Sequence, residues 1–221
     1  MKLTPILLAL TLGLTAAAPA LARDAAFDAR VDGLAHGWDH VNFEIHDKPA
    51  QAAAAARLAA QADALAHQFP ARAEPLVWEA IALSTEAGAK GGLGGLALAK
   101  EARALLERAE HINPAALGDG SVYTSLGSLY AQVPGFPVGF GDPAKARAYL
   151  LKGLAANPNG LDSNFFYADY LVRQGQYAAA VKALEKSLAA PARPGREIAD
   201  RGRRAEAQAL LARAKEKLQR G

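Results

Sequence analysis

Cysteine is absent from the 221 residues. That excludes disulfides, thiolate metal sites and a cysteine nucleophile, and it removes the attachment point a bacterial lipoprotein needs for its lipid. Charge of one sign is scarce, with a formal net charge of +3, too little for the strongly basic face of a general nucleic-acid binder. Beyond the first 22 residues no apolar run approaches the ~18 residues of a membrane span, so no transmembrane segment is expected. Gly-x-Ser-x-Gly and His-Glu-x-x-His are both missing, so neither a hydrolase nucleophile elbow nor a zinc-protease helix is present.

The amino-terminal stretch reads as a targeting signal. Lys2 supplies positive charge, Leu3 to Leu14 is almost wholly apolar, and Ala20-Leu21-Ala22 gives a small-x-small cleavage pattern. Residues 1–22 are therefore expected to be a removed signal peptide, leaving a single mature domain over 23–221 in the periplasm. An exported chain without disulfides must be held by its core, and about 200 residues can bury roughly 70% of the unfolded surface.

Alanine and leucine dominate what remains, with prolines and glycines at intervals, which favours helices throughout. Ala102, Leu106, Ala109 and Pro114 recur as Ala146, Leu150, Gly153 and Pro158. They recur again, with a shorter last step, as Ala180, Leu184, Ser187 and Pro191. Steps of 3 and 4 place each set on one helical face, small residues admit a neighbouring helix, and proline ends each helix. A partner helix precedes each: Trp78, Ile81, Ala82 and Thr85 align with Tyr123, Leu126, Gly127 and Tyr130, then with Asn164, Tyr167, Ala168 and Leu171. Three copies of one helix pair follow. The predicted fold is all-α, with pairs at about 74–114, 121–158 and 163–191. A weaker pair lies at about 24–70 and a capping helix at about 196–219. Two long inter-helix loops are expected, Gly88–Gly95 and Val133–Gly141.

These units resemble the tetratricopeptide repeat in their large-small-x-x-large first helix and proline-ended second helix. The third copy is nearest, from Tyr167-Ala168 through Gln174-Gly175-Gln176-Tyr177 to Ala180. The run Gln132-Val133-Pro134-Gly135-Phe136-Pro137-Val138-Gly139-Phe140-Gly141-Asp142, with Asn157-Pro158-Asn159-Gly160 and Pro191-Ala192-Arg193-Pro194-Gly195-Arg196 after it, resembles the TatT family. TatT is the helical accessory component associated with some tripartite ATP-independent periplasmic (TRAP) transporters. The resemblance covers roughly Leu96 to Leu211. It implies a periplasmic role beside a solute-binding protein. The expectation is then an α-solenoid acting as a non-catalytic adaptor, with a homo-oligomer as a further option and no cofactor. The resemblance also implies that the first helix of each pair lines the concave face. Carried over by spacing, the inward positions include Glu79 and Glu86, then Thr124 and Ser128, then Asp162, Phe165 and Asp169. Carboxylates at both ends of such a groove would suit a basic or polar peptide.

Four other features remain. The proline-glycine loop offers Phe136 and Phe140 as partner-binding rings, or as rings tucked onto the next helix pair. The alternative to an adaptor is a small-ligand carrier, with an apolar pocket under the Val133–Asp142 loop formed by Phe136, Phe140, Phe165 and Tyr167. His36 and His40 lie four apart on one face, but a metal needs three or four converging ligands and no second cluster is evident, so none is expected. Gly91-Gly92-Leu93-Gly94-Gly95 lacks the Gly-Lys-Ser/Thr of a phosphate loop and reads as a flexible connector. The basic excess after Pro191 reads as a solvated capping helix.

Overall fold

The computed structural model describes residues 25–220, and the expected signal peptide lies outside them. Nine helices occur among the described residues. They are α1 (Ala25–Phe43), α2 (Lys48–Gln68), α3 (Glu74–Lys90), α4 (Gly92–Ile112), α5 (Ser121–Gln132), α6 (Pro143–Ala156), α7 (Leu161–Arg173), α8 (Tyr177–Leu188) and α9 (Glu197–Arg220). The only extended pairing among the described residues is an isolated bridge between Gly135 and Gly141. The all-α expectation therefore stands. No described helix is long and apolar enough to cross a membrane.

Local chemistry sets most boundaries. Asp47 accepts from the Ala50 N–H at 2.9 Å to start α2, and Asp142 accepts from the N–H groups of Ala144 and Lys145 at 2.9 and 3.0 Å to start α6. Each satisfies donors that a helix start leaves open. Pro49, Pro75 and Pro143 occupy first-turn positions, where a missing N–H costs nothing. Pro114 and Pro158 follow Asn113 and Asn157, the capping residues just after α4 and α6.

The helices pack as adjacent pairs, α3 with α4, α5 with α6 and α7 with α8. The recurring small residues lie where they meet: Ala102, Ala109, Ala146 and Ala180 are fully buried. Gly127 of α5 meets Leu150 of α6, and a Cβ there would lie 2.6 Å from the leucine Cγ. In the amino-terminal pair, α2 packs far more extensively on α3 than on α1.

One of the two long loops does not exist. Gly88 to Lys90 complete α3 and Gly92 opens α4, so Gly91 alone separates them. Gly91 takes φ 64° and ψ −171°, a conformation open essentially to glycine alone. Gly95 then lets α4 fold back tightly, since a Cβ there would lie 2.6 Å from the Ala87 carbonyl oxygen. Glycines that read as slack are used for close approach. The other loop is present between α5 and α6, tied at its base by Gly141 N–H to Pro134 O (2.9 Å) and Asp142 N–H to Tyr130 O (3.0 Å).

The succession of pairs bends round until α9 touches α1. Arg196 makes a bidentate pair with Asp39 (2.6 and 2.8 Å), His36 Nε2 donates to the Gly195 carbonyl (2.8 Å), and the Phe43 ring lies against Gly202. The two ends of the described chain are thereby joined.

Candidate functional site

Inside this bend lies a basin of about 1190 Å³. Its floor comes from α3 (Trp78, Ile81, Thr85), α5 (Thr124, Ser128) and α7 (Asp162, Phe165, Asp169). Trp38 of α1 and Arg196 and Arg203 on the α9 side wall it, and Val133, Pro134 and Val138 form one edge. Thr124, Ser128, Asp162, Phe165 and Asp169 are thus brought together.

Glu79 and Glu86 are not in the basin, which corrects their assignment from spacing. On α3 the basin is lined from Trp78, Ile81 and Thr85, where α5 uses Ser121, Thr124 and Ser128. The first copy is therefore shifted by two positions from the alignment made on its small residues. The cause is alanine: Ala80 and Ala82 are both fully buried, so α3 offers small residues in more than one phase and the pattern fixes none of them. Glu79 instead faces α2 and α4. Burial, followed by the neighbouring Asp63 and Glu101, pushes its carboxyl up to about 7, and its Oε2 is buried without a partner. Glu86, 4% exposed, pairs with Lys90 on the next turn.

The aromatic pocket expected under the loop is also rearranged. Phe136 is 94% exposed and stands outside the basin. Phe140 turns the other way, edge-on to Tyr130 (5.6 Å) and beneath the Arg103 guanidinium (4.5 Å). Tyr167 stacks on Tyr170 instead of lining the basin. Of the four rings, Phe165 alone reaches it.

The basin's carboxylates are largely answered. Asp162 accepts from Arg193 and from Arg203, each at 2.7 Å, and Asp169 accepts from Arg173 at 2.8 Å. Burial alone would push Asp162 up, but the charges of Arg203 and Arg193 outweigh it and hold the carboxyl below its ordinary range. Burial raises Asp119, which has the backbone N–H of Ser121 as a donor to one oxygen. The negative groove read from the sequence is therefore mostly neutralised. The lining combines these paired charges, together with Lys48, Glu206 and Arg213, with hydroxyl and amide groups among apolar side chains.

Sequence reading missed the arginines. Arg193 also holds Asp200 (2.7 Å), Arg203 lies over Phe165 and Phe166 (4.6 and 4.7 Å), and Arg196 lies over Trp78 (5.5 Å). Arg204 donates to the Leu188 and Ala190 carbonyls at the end of α8. Much of the basic excess after Pro191 is thus turned inward and structural. A signal was available in Arg193-Pro194-Gly195-Arg196, where two arginines flank a Pro-Gly turn closed by Arg196 N–H to the Arg193 carbonyl (3.1 Å). Two donors of basin-lining residues, the Trp78 indole N–H and Arg193 Nη2, are buried without an acceptor.

The His36 and His40 side chains take different partners, the Gly195 carbonyl and Glu44. Among the described residues no group of three or more His, Asp or Glu is placed to hold a metal ion. What the geometry defines is an all-helical chain of adjacent pairs around one walled basin. No protein-family model matches the chain. No curated protein matches it either.

Proposed function

We propose that this chain is a non-catalytic binding protein of the export compartment, built as a tetratricopeptide-like solenoid of the TatT type. In this reading it works as an adaptor beside the solute-binding protein of a TRAP-type transporter and receives a segment of that partner in its basin. The observation that carries it is the basin itself. The first helices of three successive pairs, α3, α5 and α7, contribute to one continuous floor, as the inner helices of such a solenoid would. Phe136, held out at the basin's edge by a loop tied at its base, supplies a second contact for a protein partner.

Native mass spectrometry of the mature protein from periplasmic extract tests this. A co-purifying protein, or a defined homo-oligomer, is expected; an empty monomer that no candidate partner binds would count against the adaptor. A second reading, a small-ligand carrier, is favoured by the size of the basin, which at about 1190 Å³ lies just above the ~300–1,000 Å³ usual for ligand sites. A monomer carrying a small bound mass would select it.

A further inference from the structure

We infer that the contact between α1 and α9 is a clasp that opens to admit occupants to the basin. The inference rests on the basin being the binding site, as proposed above. Three observations lead to it. The first is the chemistry of the contact. On α1 the apolar residues Phe27, Val31, Leu34 and Ala35 belong to the main core, and Val41 packs with Ala54 and Ala55 of α2. Towards α9 and the turn before it, α1 and the residue that follows it offer mainly polar groups: Asp39 to Arg196, His36 to the Gly195 carbonyl, and Glu44 to Arg201 at 3.8 Å. Phe43 adds an aromatic ring against Gly202, beneath the Arg203 guanidinium at 5.5 Å. Parting such a contact returns charges to water, which offsets much of the lost attraction; parting an apolar core has no such return.

The second observation is that the clasp is also basin wall. Trp38, Arg196 and Arg203 line the basin, and Arg196 links Asp39 on one side to the face of Trp78 on the other. An occupant entering on this side meets the groups that close the ring. The third is mechanical. The joints between pairs, α4 with α5 and α6 with α7, are thin beside the packing within pairs, so small rotations at these joints can separate α1 from α9 without unfolding either. The motion is a shear or hinge between packed units.

The chain has no cysteine and two tryptophans, both in the basin wall at the clasp, which makes two readouts specific. Spin labels on Asp32→Cys and Ala205→Cys, both exposed and on α1 and α9, report the separation directly. Short and long populations are expected in the otherwise native chain, with Arg196→Gln shifting weight to the long one. Acrylamide quenching of the two indoles should rise about twofold in Arg196→Gln with far-UV helix signal unchanged. The charge exchange Asp39→Arg with Arg196→Asp should restore the wild-type value. A single short distance in both labelled chains overturns the gate, as does unchanged quenching with helices intact. Quenching that rises only in step with helix loss makes the contact a folding contact and also overturns it. None of these readouts uses a ligand, so their failure leaves the binding reading standing, while failure of partner capture leaves the clasp standing.

Discussion

A carboxyl buried among other carboxyls carries its proton to unusually high pH, and Glu79 is placed that way, with a folded-state value of about 7 against 4.5 for a free side chain. The native state then binds a proton that the unfolded state has released, so stability falls as pH rises from about 4.5 to about 7 and levels off above. Glu79→Gln should accordingly gain about 2–3 kcal/mol at pH 8 relative to its effect at pH 4.5, read from urea midpoints at the two pH values. An effect independent of pH would contradict it. Asp162 carries the opposite sign. Its carboxyl is held below the ordinary range by Arg203 and Arg193, so its contribution is present at neutral pH and is lost as pH falls below about 4. Asp162→Ala leaves two arginines without their shared partner and should cost about 2–4 kcal/mol at pH 7. The shift in urea midpoint should shrink towards pH 3.

Among the helices, close approach is set by single glycines. Gly127→Ala forces Leu150 aside and should destabilise by about 1–3 kcal/mol, with a matching fall in melting temperature. The insertion loop divides its two rings: Phe140→Ala removes a ring packed on Tyr130 and should cost about 2–3 kcal/mol. Phe136→Ala should stay within about 0.5 kcal/mol while weakening partner capture. Here the limits of sequence reading become specific. Helix content, the proline stops at Pro114 and Pro158, and the small residues between paired helices were legible because each follows from local chemistry. The phase of α3 was not, since alanine at positions 80, 82 and 87 fits several faces at once. Nor was the turn at Gly91, because five neighbouring residues of which four are glycine look alike whether they are slack or tightly folded. The basin residues Thr124, Ser128, Phe165 and Asp169 were reachable by spacing. The arginines opposite them were not, as they come from a segment with no place in the repeat.

At the scale of the molecule, the contact between α1 and α9 turns a row of helix pairs into an enclosure. Placing alanine at Gly202 puts a methyl group into the Phe43 ring, so Gly202→Ala should widen the particle in small-angle scattering while leaving helix content intact. An unchanged radius of gyration would show that the ends stay together without that fit.

Asp39 and Arg196 are 157 positions apart, and that separation has a consequence for how the protein is made. Neighbouring pairs can form from short stretches of chain, but this contact needs almost all of it and closes a long loop at high entropic cost. A chain that emerges amino end first into the compartment where it folds therefore exists for most of its emergence as an open arc. Asp39 stays hydrated throughout that interval, and the enclosure is completed only when the residues around Arg196 arrive.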